Sequence, residues 1–267
     1  MTMSGEQFEL YEGLSEPQRF GYVERKKGVL KEVGTQVYLH EVLISPEVLS
    51  AEDLFTTISS FTQVRDPRVP AIIDAWQNKE SINYVTLELE GFPLDSSEAR
   101  SILKSIHSNY FEEMAFQTLA TIAALHSQNA THRRIRKEVF NVHDTGFVFM
   151  CDGGLIERIN KIIEEQTVGN GGQLMLVSNL AAYDVVDWAA MVATLMTDTS
   201  ILDPSTRISD EILPEDVAQA QKKILQLNGE TPMSLFLNKC LQARADNVAV
   251  YDNGGEALRA FPERDKS

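Results

Sequence analysis

The sequence predicts an α+β protein, and three observations carry that expectation. Residues 19–44 and 71–89 are rich in β-branched and aromatic residues bounded by glycine, proline and charge, as strands are. Beyond Pro93 the apolar residues recur three and four apart, the period of a helix with one buried face. An apolar fraction of 43% over 267 residues is that of an ordinary globular chain with a substantial core. The change of character near residue 92 predicts one internal boundary within a single domain over 1–267. A small β-rich lobe of about 12–91 precedes a larger helical lobe of about 92–262.

Residues 1–15 read as an extended lead-in. Phe20, Tyr22 and Val23 begin a strand, Lys26-Lys27-Gly28 predicts a turn, and Val29-Leu30 and then residues 37–44 continue the sheet. Ser50 is a candidate N-cap, followed by Glu52 and Asp53 in the first turn of a helix. Leu54, Phe55, Ile58, Phe61 and Val64 keep its period as far as Asp66-Pro67, where proline predicts a stop. Strands over 71–76 and 82–89 lead to a break at Gly91-Phe92-Pro93, and helices over 96–108 and 110–126 follow. His126-Ser127-Gln128-Asn129 then ends the second helix, and a basic loop runs from His132 to Lys137. Short strands over 139–142 and 147–151 meet at His143-Asp144-Thr145-Gly146, and Asp152-Gly153-Gly154 reads as a closing turn. A short helix over 156–164, a loop over 167–173 and a helix over 184–197 come next. The last of these is apolar nearly all round and so is expected to be buried. Helices over 215–227, 232–243 and 255–261 complete the chain.

With 24 basic against 39 acidic residues, the net charge is −15. Such a surface repels nucleic acid and anionic lipid at long range, which leaves a protein as the expected partner, with no nucleic acid and no membrane. No apolar run approaches the ~20 residues of a membrane span, and the first residues are acidic and polar, unlike a signal peptide. A cytoplasmic protein is expected. Cys151 and Cys240 sit inside apolar patterns and are expected to pack reduced. The five histidines are not spaced with cysteines or acids as a zinc site requires, and neither a Gly-x-Ser-x-Gly elbow nor a P-loop is present.

The order of local motifs from about residue 12 to 262 resembles the eukaryotic-type protein kinases. Phe20-Gly21-Tyr22-Val23 is similar to the end of their glycine-rich loop, and Val37-Tyr38-Leu39-His40 to the strand bearing the phosphate-binding lysine. Residues 57–69 resemble the lobe's single helix and the loop after it, and 85–91 the strand and hinge between lobes. Leu125-His126-Ser127 and the loop from His132 to Val139 resemble the approach to the catalytic loop. Asp152-Gly153-Gly154 stands where the magnesium-binding Asp-Phe-Gly belongs, and residues 184–189 resemble the buried helix that anchors that loop. Residues 187–194 further resemble the aspartate-aromatic-to-Ala-Thr helix of the Bub-type spindle-checkpoint kinases, and Ile135 and Phe140 fit that branch's catalytic loop. This implies a two-lobed kinase-like fold and, for that branch, a nuclear or kinetochore setting.

The same comparison implies lost chemistry. Phosphoryl transfer is mostly positioning and electrostatics, so each charge matters. The first two glycine positions fall at Glu16 and Gln18, and only Gly21 survives in that loop. The lysine is replaced by His40, and its partner glutamate falls at Thr57. The catalytic base falls at Arg134, which cannot accept a proton. The second metal ligand falls at Val139, which has no oxygen to offer. Asp152 alone remains as a vestigial metal ligand. The resemblance therefore implies a pseudokinase with no catalytic residues and no expected cofactor, acting as a scaffold or allosteric regulator. The alternative is a divergent nucleotide-binding protein or atypical kinase that binds ATP and magnesium through Asp152. Arg133, Arg134, Arg136 and Lys137 form either a patch for phosphate or acidic peptide or a solvated loop balanced by acids. His132 is expected to pack in the core, and Asp184, or Asp187 in its place, to accept bonds from the catalytic-loop backbone.

Overall fold

The computed structural model describes residues 10–43, 51–62, 64–77, 81–132, 134–168, 180–201, 214–242 and 250–263. It is an α+β protein, and its chain divides into two compact units. The first comprises Met1–Glu90 with Cys151–Leu176, and the second Gly91–Met150 with Val177–Ser267. The expected boundary near 92 coincides with the end of the first segment, but 151–176, expected in the helical lobe, belongs with the sheet.

In the first unit an antiparallel sheet is built from β1 (Tyr11–Glu12), β2 (Gln18–Phe20), β3 (Val23–Leu30), β4 (Thr35–Leu43), β5 (Ile72–Gln77) and β6 (Ser81–Leu87), in the order β1-β3-β4-β6-β5, with β2 also paired to β3. Lys26-Lys27-Gly28, expected as a turn, lies inside β3. Gly28 is needed there for close approach: a Cβ would stand 2.7 Å from Leu14 Cδ2, where the chain between β1 and β2 crosses over it. The actual turns are Gly21-Tyr22 and residues 31–34, with Gly21 at φ +63° and Gly34 at φ +68°, a region that favours glycine. One sheet face carries the core of Tyr11, Val37, Leu39, Trp76 and Val85. On another, Val23, Val42 and Ile82 stand opposite one another, all fully buried.

Two helices belong to this unit. In α1 (Ala51–Phe61) the buried Leu54, Ile58 and Phe61 face β5 and β6. The helix stops at Phe61, short of the expected Asp66-Pro67. That dipeptide instead forms a turn in which the Asp66 carboxylate accepts from the Arg68 N–H at 2.9 Å. The candidate cap Ser50 lies outside the described residues. The second helix, α4 (Asp152–Val168), is longer than the expected 156–164, and Asp152-Gly153-Gly154 is its first turn rather than a closing turn. An acidic residue is favoured at this end of a helix. Leu155, Ile156, Ile159, Ile162 and Ile163, spaced one, three and four apart, are all buried. At about 1.5–3 kcal/mol each, five such side chains contribute roughly 8–15 kcal/mol as an upper estimate. Helix α4 is therefore anchored by a buried apolar face.

The second unit contains β7 (Phe92–Pro93), β8 (Phe140–Val142) and β9 (Val148–Met150), paired in that order, so that the expected Gly91-Phe92-Pro93 break is an edge strand. Its helices are α2 (Ser97–Ile106), α3 (Tyr110–Ser127), α5 (Leu180–Thr197), α6 (Pro214–Asn228), α7 (Pro232–Gln242) and α8 (Gly254–Arg259). Ser96 caps α2 by accepting from the Ala99 N–H at 3.1 Å. Helix α5 is the buried centre, as its all-round apolar pattern predicts, and it touches α3, α6, α7 and α8. Its Trp188 is wholly buried and donates from Nε1 to Thr118 Oγ1 at 2.9 Å. Both cysteines are free thiols, Cys240 buried and Cys151 half-buried. Of the expected loop over 167–173, residues 167 and 168 end α4 and the remainder lies outside the described residues. Among the described residues no helix is long and apolar enough to cross a membrane.

Substituting Ile159, fully buried in α4, by alanine is expected to cost about 2–5 kcal/mol. The chain's two tryptophans fall one in each unit, Trp76 and Trp188. Urea unfolding followed by Trp76 fluorescence in a Trp188→Phe background checks this, and an unchanged midpoint would contradict a core role for α4.

Candidate functional site

In the first unit the residues singled out by sequence converge on one that was not, Arg25. Strand pairing sets Gln18 opposite Arg25, Arg25 opposite His40 and His40 opposite Tyr84, so the four form a row across β2, β3, β4 and β6. Directly opposed residues of antiparallel strands share a face. The Arg25 guanidinium lies 4.5 Å from the ring centre of Phe20 and 4.6 Å from that of Tyr38, a double cation–π contact. One of its nitrogens donates to Gln18 Oε1 at 3.0 Å and the other to Asp152 Oδ2 at 2.7 Å. Both members of the Arg25–Asp152 pair are largely shielded, at 19% and 15% side-chain exposure. In such surroundings the attraction is screened less than at an open surface.

His40 occupies the position that the family resemblance assigns to the phosphate-binding lysine. It is 1% exposed, its ring stacked on Tyr84 at 4.3 Å between centres, and Nε2 is 3.0 Å from Thr86 Oγ1. Burial, and then the neighbouring Arg25 charge, push its pKa down to about 3, so it is neutral at physiological pH. Burial above all, and then the nearby Asp152 carboxylate, push the Tyr84 phenol well up, which keeps it protonated.

The remaining positions are scattered. Glu16 is exposed, with its carbonyl accepting from the Ser15 hydroxyl at 3.0 Å. Gly21 makes the turn between β2 and β3, and Thr57 lies within α1. Asp152, the vestigial metal ligand, is committed to Arg25; to bind a cation it would have to give up a charged hydrogen bond worth about 1.5–3 kcal/mol. Among the described residues no three His, Cys, Asp or Glu side chains are grouped so that they could hold a metal ion.

In the second unit the centre is a carboxylate with a different task. Asp184 on α5 is wholly buried and accepts from the His132 backbone N–H at 2.7 Å and from His126 Nε2 at 3.0 Å. His126 Nδ1 accepts from the Gly254 N–H at 2.8 Å, so the ring's proton must sit on Nε2, facing Asp184. Burial acts to raise the pKa of Asp184, but the hydrogen bond from His126, and then that from the His132 backbone, hold it below the usual carboxylate range. Asp184 thus ties the loop to α5. His132 is buried, as expected of a core histidine.

Val139, at the place of the second metal ligand, is fully buried in a 3-10 turn (Lys137–Val139), flanked in the core by Ile135 and Phe140. Arg134 is half-buried, and its backbone N–H donates to His132 Nδ1 at 3.3 Å. Lys137 binds Asp95 at 2.6 Å and Arg136 lies 3.8 Å from Glu138, while Arg133 lies outside the described residues. Within the described part of the basic loop, Arg136 and Lys137 therefore have an acid beside them.

Sequence reasoning did not find Arg25, Tyr84 or Asn160. Arg25 sits in a charged run, Glu24 to Lys27, whose last two residues were expected in a turn, and only the register shows which of the four faces His40. No protein-family model matches the chain, and no curated protein matches it.

The buried neutral His40 predicts an acid-labile fold. Its folded pKa of about 3 lies below the ordinary 6.5, so the unfolded chain binds the proton and the folded one does not. The penalty is absent above pH 6.5 and grows by on the order of 1 kcal/mol per pH unit below it, until the folded pKa is reached. Urea unfolding at pH 7.5, 6.0 and 5.0 should show wild type losing stability more steeply than His40→Gln. Parallel profiles would contradict the burial of a neutral imidazole.

Proposed function

We propose that this chain is a pseudokinase: a kinase-like fold without phosphoryl transfer, which binds a protein partner as a scaffold or allosteric regulator. The observation that carries the proposal is the Arg25–Asp152 pair beside the buried, neutral His40. The carboxylate that the resemblance would give to magnesium is neutralised from within its own unit, and the place of the lysine holds no charge for a phosphate. Support also comes from an antiparallel sheet with α1 inserted between β4 and β5, and from Asp184 holding the His132 backbone as the resemblance implies. Val139 and Arg134 supply neither a metal ligand nor a base at their positions.

Thermal unfolding with ATP, alone and with magnesium or manganese, tests the reading. No shift in midpoint is expected. Metal-dependent stabilisation, abolished by Asp152→Ala, would favour the divergent nucleotide-binding alternative, since a ligand that binds only the folded state raises its stability. A radiolabelled transfer assay should give equal background for wild type and Asp152→Ala.

Residues 187–194 narrow the proposal to a partner in chromosome segregation, through their resemblance to the Bub-type helix. Affinity purification of the tagged chain from its native cell is expected to recover kinetochore or spindle-checkpoint proteins. Their absence from a preparation that recovers other specific partners would remove the narrower proposal and leave the broader one standing.

A further inference from the structure

Asn160 lies on α4, eight residues after Asp152, and is 8% exposed. Its carboxamide brackets the β2–β3 turn: Oδ1 accepts from the Tyr22 N–H at 2.9 Å, and Nδ2 donates to the Phe20 carbonyl at 3.1 Å. Both partners are backbone groups on either side of Gly21, and the contact is close. A Cβ on Gly21 would stand 2.7–2.9 Å from the Asn160 carboxamide, and φ there is +63°. Two turns earlier on the same helix, Asp152 holds Arg25 of β3. Two side chains of one helix therefore hold one hairpin.

The elements joined by these contacts are unequally anchored. Helix α4 is seated by five buried apolar side chains, whereas Gln18, Arg19 and Phe20 of β2 are all exposed and pair only with β3. The turn itself exposes Phe20 at 37% and Tyr22 at 38%. If the contact between helix and hairpin breaks, β2 and the turn are the part that moves, because β3 is paired along its length with β4.

We propose that β2 and the Gly21 turn form a strap hinged on β3, held down by Asn160 of a stationary α4, and that its opening uncovers the Arg25 guanidinium, which stays paired with Asp152. In the closed form Arg25 is occupied by Gln18, Phe20, Tyr38 and Asp152; lifting β2 removes the first two. A partner that binds the rings of Phe20 and Tyr22 differently in the two forms would shift their populations, which makes the strap a route for regulation. The proposal does not depend on the pseudokinase reading.

Native-state hydrogen exchange tests it, because local openings report their own equilibria. In Asn160→Ala the Tyr22 amide is expected to exchange at least about tenfold faster, equivalent to about 1.4 kcal/mol. The amides of Ile159, Ile162 and Ile163 should keep their wild-type rates. Asn160→Asp retains the acceptor for Tyr22 but, ionised, offers no donor to the Phe20 carbonyl, so its rate should fall between the two. Unchanged exchange at Tyr22, or equal loss of protection in α4, would overturn the proposal. Should Asn160→Ala fail to fold, wild-type exchange in low urea decides the matter: Tyr22 must open at least about tenfold more readily than α4, and a common opening of both would refute a hinged strap.

Discussion

A carboxylate and a guanidinium shielded from water must be paired, because a buried charge without a partner is costly. That constraint ties the first unit together. Asp152 is at the start of α4, where the helix dipole favours an acid, and Arg25 comes from the middle of β3 to meet it. Once Arg25 is committed there, the rest of the row is determined. Phe20 and Tyr38 flank the guanidinium, Gln18 accepts from its other terminal nitrogen, and His40 opposite it is held neutral by burial and by the adjacent positive charge. Stacking of His40 on Tyr84 carries the arrangement into β6.

The second unit solves a similar problem with a different partner. Asp184 is buried and is stabilised by hydrogen bonds from the His132 backbone and His126. Because His126 also accepts from Gly254, one imidazole joins α3, α5 and the start of α8. A Cβ on Gly254 would stand 2.9 Å from the Ala123 backbone nitrogen, so glycine is what allows α8 to approach α3 this closely. Both acids serve structure.

Periodicity and turn chemistry determined much on their own. The α+β class, the helices over 97–127, the buried helix around Trp188 and the β8–β9 hairpin were all legible, because each depends on which residues along a short stretch avoid water. The structural task of Asp184 was also foreseen, through the family resemblance rather than the pattern. Tertiary structure decided what depends on residues distant in the chain. Lys26-Lys27-Gly28 looks like a turn until Leu14 is seen to need the space over Gly28. Gly91-Phe92-Pro93 looks like a break until β8 pairs with it. Asp152-Gly153-Gly154 looks like a turn until the buried apolar face after it draws these residues into the first turn of α4. Above all, strand register places Arg25 beside His40 and Asp152, and a one-residue slip would turn Arg25 to the opposite face. Local sequence specifies which residues prefer burial; only the pairing of distant strands and helices specifies which charges must meet there.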